Sequence, residues 1–195
     1  MSSAPTASAF PSGITEENAL TVTDRLFWQN PDAKLALDDA SQITGQTLDG
    51  MDDGELFLEY RETEGISLED GVIRSAAFDT TTGFGLRSIL GEESGFAHSD
   101  EISEKALRRA SETVKTIRNG RSGVQAPPPR PTNARLYTGA NPMEGTDFAR
   151  RSSVLQEIDA WVRAQDSSVV QVMASLRSSW QAVTTLRAAA GRAAA

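Results

Sequence analysis

The segment from Thr82 to Ser103, TGFGLRSILGEESGFAHSDEIS, holds the residue types of this chain that are most common in active sites. Gly83 and Gly85 could let a backbone approach a phosphate, and His98, the single histidine, could bind a metal or move a proton. The dinucleotide fingerprint, however, needs a third glycine where Ser88 stands and must open a helix. The segment instead predicts a hairpin running into a helix, with glycines that relieve crowding in a bent strand or bulge.

His98 lacks the partners that catalysis would require. A catalytic zinc usually takes three protein ligands drawn largely from histidine, with carboxylates as a minority. The chain has no second histidine and no cysteine. A serine triad would need an activated serine, and no nucleophile-elbow pattern occurs. We expect His98 to be a surface or hydrogen-bonded residue at a strand end, and contact with a substrate is the alternative.

The acidic turn LDGMDDGE could attract a hard cation. Its carboxylates are Asp49, Asp52, Asp53 and Glu55. A calcium loop needs ligands at alternate positions, a glycine at the sixth and a distant glutamate, and that spacing is absent. A solvated turn between a helix and a strand is the better interpretation.

Two further motifs are incomplete. DTTTG at residues 79–83 superficially resembles the Asp-Thr-Gly of aspartic proteases, but two extra threonines interrupt it, and we expect a turn. APPPRP at residues 126–131 could dock on a proline-recognising domain, although a linker is more typical of such a run. We therefore assign no catalytic, cofactor-binding or metal-ligating residue in this chain.

Composition and charge narrow the class of protein. Apolar residues make up 38% and charged residues 24%, which is typical of a soluble globular protein. The net charge of −8 disfavours nucleic-acid binding, because a polyanion would be repelled. The start of the chain lacks a secretory signal, and no stretch approaches the roughly 20 apolar residues of a membrane span. Together with the absence of cysteine, this predicts a soluble, cytoplasmic protein.

The elements that would position these residues can be read from periodicity. Helical spacing is weak over Glu16–Gln29 and better over Pro31–Met51. From Glu55 the pattern changes to alternation in ELFLEYRE, with Leu56, Leu58 and Tyr60 on one face and Glu55, Phe57, Glu59 and Arg61 on the other. Asp70-Gly71 is a strong hairpin signal. Four or five antiparallel strands are the simplest interpretation.

The second half of the chain predicts helices and a further hairpin. Asp100 is a sensible N-cap for a helix over residues 101–118, and a second helix is expected over residues 147–164, with Phe148, Arg151, Leu155, Ile158 and Val162 on one stripe. SSVVQVMASL and SWQAVTTLR alternate and predict a hairpin around Arg177-Ser178.

The fold class that follows is α+β: an antiparallel sheet of about four to five strands with packed helices, then a helix and hairpin that resemble an incomplete second unit. The divisions are residues 1–13 (disordered), 14–120 (first α+β domain), 121–142 (Pro-rich linker), 143–187 (helix and hairpin of the second unit) and 188–195 (Ala/Arg tail).

The stretch from Gly54 to Ser103 resembles the N-terminal domain of TldD-type proteins in the TldD/PmbA family. The matching pieces are GELFLEY, LEDGVI, GFGLRSI and GFAHSDEIS. LYT at Leu136 to Thr138 and the helix with SSVVQVMASL also follow in the family's order. The likeness extends to about Arg187, and the first fifty residues match only loosely.

The resemblance implies a cytoplasmic zinc metallopeptidase that cuts unfolded peptides and acts in peptide maturation and degradation. Such proteins pair with a PmbA-type (TldE) subunit that carries no zinc. Their metal helix has a His-Glu-x-x-x-His or His-Glu-x-x-His motif, in which the glutamate serves as general base. His98 is not followed by glutamate, so no metal ligand or catalytic residue carries over to this chain.

The expectation is therefore an N-terminal portion of a TldD-type metallopeptidase, inactive alone, that shapes a peptide-binding cleft and a subunit interface. The Ala/Arg ending is also what a premature stop or a frameshift would leave. The first alternative is a non-catalytic PmbA/TldE-like partner or peptide-binding module, which could also self-associate. A further alternative is an unrelated α+β ligand-binding domain.

Overall fold

The framework of the molecule is one antiparallel sheet of five strands. A computed structural model describes residues 19–31, 33–118, 123 and 141–187, and the backbone of 191–194. In chain order the strands are β1 (Asp53–Glu69), β2 (Val72–Leu90), β3 (Glu93–Ser99), β4 (Met173–Arg187) and β5 (Gly191–Ala194). Across the sheet their order is β3-β2-β1-β4-β5. The central strand β1 therefore has a neighbour from each half of the chain.

The helices of the described residues are four. They are α1 (Ala19–Thr23), which continues as a π-helical turn over Asp24–Trp28, α2 (Leu37–Leu48), α3 (Glu104–Lys115), which ends in a 3₁₀ turn over Thr116–Arg118, and α4 (Phe148–Gln165). An antiparallel sheet with helices packed on it is an α+β fold, as the sequence predicts.

The two-residue period of β1 decides which face of the sheet the helices cover. The even-numbered side chains of β1 point to one face of the sheet, and those near either end of the strand are buried. At one end they meet α2 and α3 in a core cluster, whose buried members are Phe27, Leu35, Ala40, Ile43, Leu56, Leu58, Phe84, Leu86, Ala106, Leu107, Ala110, Val114 and Leu186. At the other end Ile66 and Leu68 pack on Leu155 of α4. The opposite, odd-numbered face of β1 carries no helix of the described residues.

The hairpin between β1 and β2 turns at Asp70-Gly71, which confirms the sequence-based prediction. Asp70 has φ of 50° and Gly71 has φ of 76°. A two-residue turn with both φ values positive matches the right-handed twist of the flanking strands. A register shift follows between Ser67 and Leu68 of β1, which leaves Arg74 of β2 as the extra, bulged residue.

The sheet has five strands, within the expected number, but only three of them lie between Glu55 and Ser99. Two of these three are long, because segments expected to be separate strands run on without a break. DTTTG is not a turn: residues 79–83 lie inside β2, each opposite a residue of β1. Threonine is β-branched and suits a strand, so three threonines in a row extend β2 instead of ending it.

The predicted start of α3 is also wrong by a few residues. Ser103 and not Asp100 is the N-cap, and its hydroxyl accepts a hydrogen bond from the Ala106 N–H at 3.1 Å. Ser103 also forms an isolated bridge with Lys34, which ties the start of the helix to the segment before α2. The helix buries Ala106, Ala110 and Val114 along one face.

The predicted stripe of α4 is wrong at both Phe148 and Ile158, which are exposed. Asp159 takes the packed position instead, where Arg163 neutralises it at 3.2 Å. A carboxylate with a cation one turn away can be partly buried, and periodicity of apolar residues does not detect it.

The hairpin predicted around Arg177-Ser178 is wrong. β4 runs through both residues and pairs with β1 from Leu56 opposite Leu186 to Glu69 opposite Met173. Gly191–Ala194 forms β5 beside the last residues of β4. The helix and strand beyond the linker thus join the first sheet, while the assignment of residues 143–187 to a second unit of a longer protein stays a prediction.

Several expectations fall on residues outside the described ranges. These are the disordered start at 1–13, the APPPRP motif and most of the linker over 121–142. Within the part of the chain that the structure describes, no helix is both long and apolar enough to cross a membrane.

Candidate functional site

The open face of the sheet carries a groove of about 560 Å³ over β1, β2 and β3. The strand register places Phe57, Gly85 and His98 side by side on these three neighbouring strands. Glu55 and Arg87 form the next row toward the start of β1. The groove therefore joins part of the glycine-rich segment to residues of the first strand.

Aromatic rings form the outer wall of the groove. The rings of Phe96 and His98 stack with centroids 5.8 Å apart and an angle of 27° between their planes. Phe96 is 62% exposed, which is high for a phenylalanine and means that its ring has little covering it in the described chain. His98 is exposed as well, so its expected place at the surface is confirmed.

The two glycines of GFG let neighbouring groups come close. A methyl group at Gly85 would lie 3.1 Å from the Phe96 ring, and one at Gly83 would lie 2.8 Å from the Ser99 carbonyl oxygen. The register of β2 is unbroken here, so these residues relieve crowding but do not form the bulge that the sequence allowed. Neither glycine opens a helix, and a phosphate loop is not formed.

The charges beside the rings are paired. Glu55 lies between Arg87 at 3.2 Å and Arg187 at 3.1 Å, and Glu59 contacts Arg61 at 3.0 Å. These ion pairs are partly exposed and contribute little stability each, of the order of 0–1 kcal/mol. Their effect on the groove is to flank the rings with carboxylates that are already neutralised.

The acidic turn does not assemble a cation site. Asp52 accepts a hydrogen bond from the Gly91 N–H at 2.6 Å, and Asp53 accepts one from the Gly54 N–H at 2.8 Å. Each carboxylate thus fixes the backbone at one end of the β1–β2 pair. The expected turn between helix and strand is present at residues 49–52, but Asp53 already belongs to β1, and Asp52 and Asp53 are only partly exposed.

A zinc ion does not fit the described residues. Among them, no group of three or more histidine, aspartate or glutamate side chains is placed to hold a metal. His98 has an aromatic ring as its stacking partner and lies on an exposed strand.

Sequence reasoning did not single out Phe57 and Phe96 as groove residues. The available signal was the position of Phe57, which alternation places on the face of Glu55, Glu59 and Arg61. An apolar ring on a charged strand face points to a surface that is covered by something else.

A second polar cluster was also missed, on the helix-covered face midway along β1. The Tyr60 hydroxyl donates to Glu62 at 2.7 Å, and the Asn141 amide donates to the other oxygen of Glu62 at 2.8 Å. Burial, and then the hydrogen bond to Glu62, raise the pKa of Tyr60 above its ordinary value. The adjacent Glu64 and Arg151 form an ion pair at 2.9 Å with little exposure. These residues attach α4 and the segment before it to the sheet.

A third cluster closes the tip of the hairpin. The Asp70 carboxylate accepts a hydrogen bond from the Val172 N–H at 3.0 Å and contacts Arg163. The hydrogen bond from Val172 is the largest cause that lowers the pKa of Asp70, and Arg163 adds to it. The sequence identified Asp70 as a turn residue but gave no sign of these partners.

The chain is similar to known proteins in both sequence and fold. Residues 54–124 match the family model described as PmbA/TldA metallopeptidase domain 1. This segment of the chain matches the first domain of the TldD/PmbA family. The "Metalloprotease TldD homolog" of Haemophilus influenzae is 31% identical over 136 residues, and the protein of the same name from Buchnera aphidicola of Acyrthosiphon pisum is 31% identical over 134 residues. Each match covers 68% of this chain and 28% of the relative.

Solved structures share the fold of this chain. A putative modulator of DNA gyrase from Bacteroides thetaiotaomicron has a TM-score of 0.62 at 12% identity, over 80% of this chain and 36% of that one. TldE from Thermococcus kodakarensis has a TM-score of 0.57 at 16% identity, over 82% and 36%. The chain thus spans little more than a quarter of the length of the curated relatives that it matches.

Proposed function

We propose that this chain supplies the first domain of a TldD-type metallopeptidase that acts on unfolded peptides in the cytoplasm, and that the domain itself does no catalysis. The observation that carries the proposal is the match of residues 54–124 to the first domain of the family. The relatives that the chain matches are named metalloproteases. The zinc-dependent chemistry then belongs to parts of a TldD-type protein other than these 195 residues.

The role that we propose for the domain is to form one wall of a peptide-binding cleft. The groove offers the rings of Phe57, Phe96 and His98, and its flanking Glu55 is already paired with two arginines. A peptide side chain can therefore bury apolar surface on these rings without stripping water from an unpaired charge. Such a surface supports binding of many sequences with little selectivity.

The claim of inactivity has a direct test. We expect the purified 195-residue chain to leave an unfolded, fluorogenically labelled peptide uncut, with or without added zinc, because one histidine and no cysteine cannot build a three-histidine or cysteine site. A full-length TldD-type protein serves as the positive control. Hydrolysis by the chain that a chelator abolishes would overturn the proposal.

The claim of peptide binding has a separate test. We expect Phe96→Ala to weaken binding of an unfolded peptide by about fivefold to thirtyfold in fluorescence anisotropy, since a buried ring contributes on the order of 1–2 kcal/mol. Trp161→Ala is the matched control, because Trp161 is 65% exposed but lies on α4, away from the groove. Equal loss in both variants would contradict a role for the groove.

The alternative role is that of a non-catalytic TldE-like partner module. It is favoured by the fold shared with TldE and by the lack of a metal-holding cluster among the described residues. Stoichiometric binding of this chain to a catalytic TldD-type subunit, measured by analytical ultracentrifugation, would support it. A chain that binds peptide but no such subunit would support the first role.

A further inference from the structure

Within the described chain, the first half of β2 pairs with β1 alone. β3 pairs with β2 from Phe84 to Leu90, so residues 72–83 have no strand on their outer side within the described chain. Every residue from Arg74 to Thr82 is exposed, on both faces of the sheet as well as at its edge. This segment, the free edge of β2, presents unpaired backbone N–H and C=O groups to solvent.

Between Ser75 and Phe78, the free edge of β2 lacks the charges and prolines that usually protect such edges. Natural edge strands carry lysine, proline or inward-pointing charges that oppose pairing with another chain. Here the residues between Arg74 and Asp79 are serine, alanine, alanine and phenylalanine, and three threonines follow. Phe78 is 62% exposed in the middle of the segment. The edge is therefore suited to accept another strand.

The opposite edge of the sheet is less suited. β4 alternates between exposed and partly buried residues along its outer half, because α4 packs on one of its faces. It also carries the exposed Arg177 at the centre of that half. The comparison favours the free edge of β2 as the surface that is covered in an assembly.

We propose that the free edge of β2 pairs with the same segment of a second copy of this chain, antiparallel across a twofold axis at Ala77. In this register Ala77 lies opposite Ala77 of the second copy, and Phe78 lies opposite Ala76. Residues directly opposite in an antiparallel pair share a face, so Phe78 packs over a small side chain. The two Phe78 rings are diagonal neighbours, at a Cα separation of about 7–8 Å that aromatic side chains can span.

Charge complementarity supports this register. Asp79 lies on the open face of the sheet, because it is opposite Thr63 of β1, whose odd number places it on that face. Arg74 reaches the same face, because it pairs at 3.3 Å with Glu69, another odd-numbered residue of β1. With the axis at Ala77, Asp79 of each copy lies opposite Ser75 and beside Arg74 of the other copy. Because of the twofold axis, the contact between Asp79 and Arg74 occurs twice in the dimer.

Two other registers are less favourable. An axis at Asp79 would place two carboxylates directly opposite each other, which destabilises a strand pair. An axis between two residues would set side chains of opposite faces against each other, since the side-chain period is two. The inference concerns contact between copies of this chain and goes beyond the proposed peptidase role, so neither depends on the other.

Disulfide trapping tests both the pairing and its register. The chain has no cysteine, so Ala77→Cys introduces its single thiol. Opposite residues of an antiparallel pair have Cα atoms about 4.5–5.5 Å apart, within the range that a disulfide bridges. We expect Ala77→Cys to form a reducible dimer in a glutathione redox buffer. Ser179→Cys, on the free half of β4, is the matched exposed control and should stay monomeric.

A charge exchange gives a second readout that does not use thiols. We expect Asp79→Arg to weaken the dimer about tenfold in sedimentation equilibrium, because two attractions become repulsions of modest size. Arg74→Asp combined with Asp79→Arg should restore it, and circular dichroism should show an unchanged fold in each variant. A wild-type chain that stays monomeric at high micromolar concentration, with no faster cross-linking of Ala77→Cys than of Ser179→Cys, would overturn the proposal. Preferential cross-linking of Phe78→Cys over Ala77→Cys would overturn the register.

Discussion

Tyr60 lies where the two packed ends of the sheet meet, and its hydroxyl group links them. Its ring contacts Trp180 of β4 edge-on, with centroids 6.0 Å apart, and its hydroxyl donates to Glu62. Glu62 in turn holds Asn141, which precedes α4. A phenol in this position must stay protonated, because its ionised form would face a carboxylate in a partly buried site.

The titration of Tyr60 follows from this environment. A raised folded pKa means that its contribution to stability is complete below about pH 10, the unfolded value, and is lost as pH rises through the folded pKa. We expect absorbance at 295 nm to show a phenolate transition above pH 10 that Tyr60→Phe removes. Tyr137→Phe is the control and should leave this transition in place. A Tyr60 transition at or below pH 10 would contradict the prediction.

Asp70 should make stability depend on pH at the acidic end. Its lowered pKa means that the carboxylate stabilises the fold above its unfolded value of about 4, and that this contribution disappears as pH falls through the folded pKa. Asp70→Asn keeps a residue that tolerates positive φ but removes the charge. We expect its melting temperature to lie below the wild-type value at pH 7 and to approach the wild-type value as the pH is lowered below 4. A difference that does not change between these pH values would argue against the assignment.

Among the elements, α3 and β3 show how closely two backbones can be packed when glycine is at the contact. A methyl group at Gly95 would lie 2.8 Å from the Val114 carbonyl oxygen and 3.1 Å from its Cα. The same helix is tied to β2 by the Ser88 hydroxyl, which donates to the Val114 carbonyl at 3.1 Å. Glycine in this strand is needed for the distance between the elements and has no left-handed backbone to explain it.

Substitution of Gly95 should therefore separate α3 from the sheet. We expect Gly95→Ala to lower the free energy of unfolding by about 1–3 kcal/mol, the usual cost of overpacking against atoms that cannot yield. Gly65→Ala is the matched control: Gly65 lies in β1 with nothing within 4 Å of its added methyl, and alanine there should be neutral or slightly stabilising. Urea denaturation measures both, and equal effects at the two positions would refute the packing argument.

Local features of the strands and turns could be predicted from the sequence, whereas the pairing of distant strands in the sheet could not. Alternation in ELFLEY and the left-handed turn at Asp70-Gly71 depend on residues close together, and both appear in the structure. The pairing of β1 with β4 depends on residues far apart, and no local pattern specifies it. Of the groove residues, His98 can be identified from the sequence by its chemistry, whereas its stacking partner Phe96 cannot.

For the whole molecule, the position of β1 in the middle of the sheet unites the two halves of the chain. Leu186 of β4 is buried in the same cluster as Leu56 of β1 and Leu107 of α3. Arg187 pairs with Glu55 beside the groove. Removing the second half of the chain would thus expose one side of β1 and open the core.

A fragment experiment tests this dependence. We expect residues 14–120, the first domain predicted from the sequence, to bind a hydrophobic dye and to give a poorly dispersed amide spectrum, because β1 loses its ladder with β4. The full 195-residue chain is the control and should give a dispersed spectrum. A cooperative thermal transition of the fragment equal to that of the full chain would show that the first half folds independently.

The order of strands around β1 also determines when each of its partner strands becomes available during synthesis. Its partner β2 is the next strand made, but its partner β4 leaves the ribosome about a hundred residues after Leu90, which takes roughly 5–20 s at ordinary translation rates. During that interval one edge of β1 has no partner strand, and the nascent β1–β2 hairpin can pair with an incorrect strand. Codon usage and chaperone binding over the stretch between β3 and β4 should therefore govern the yield of folded protein more than the same features elsewhere.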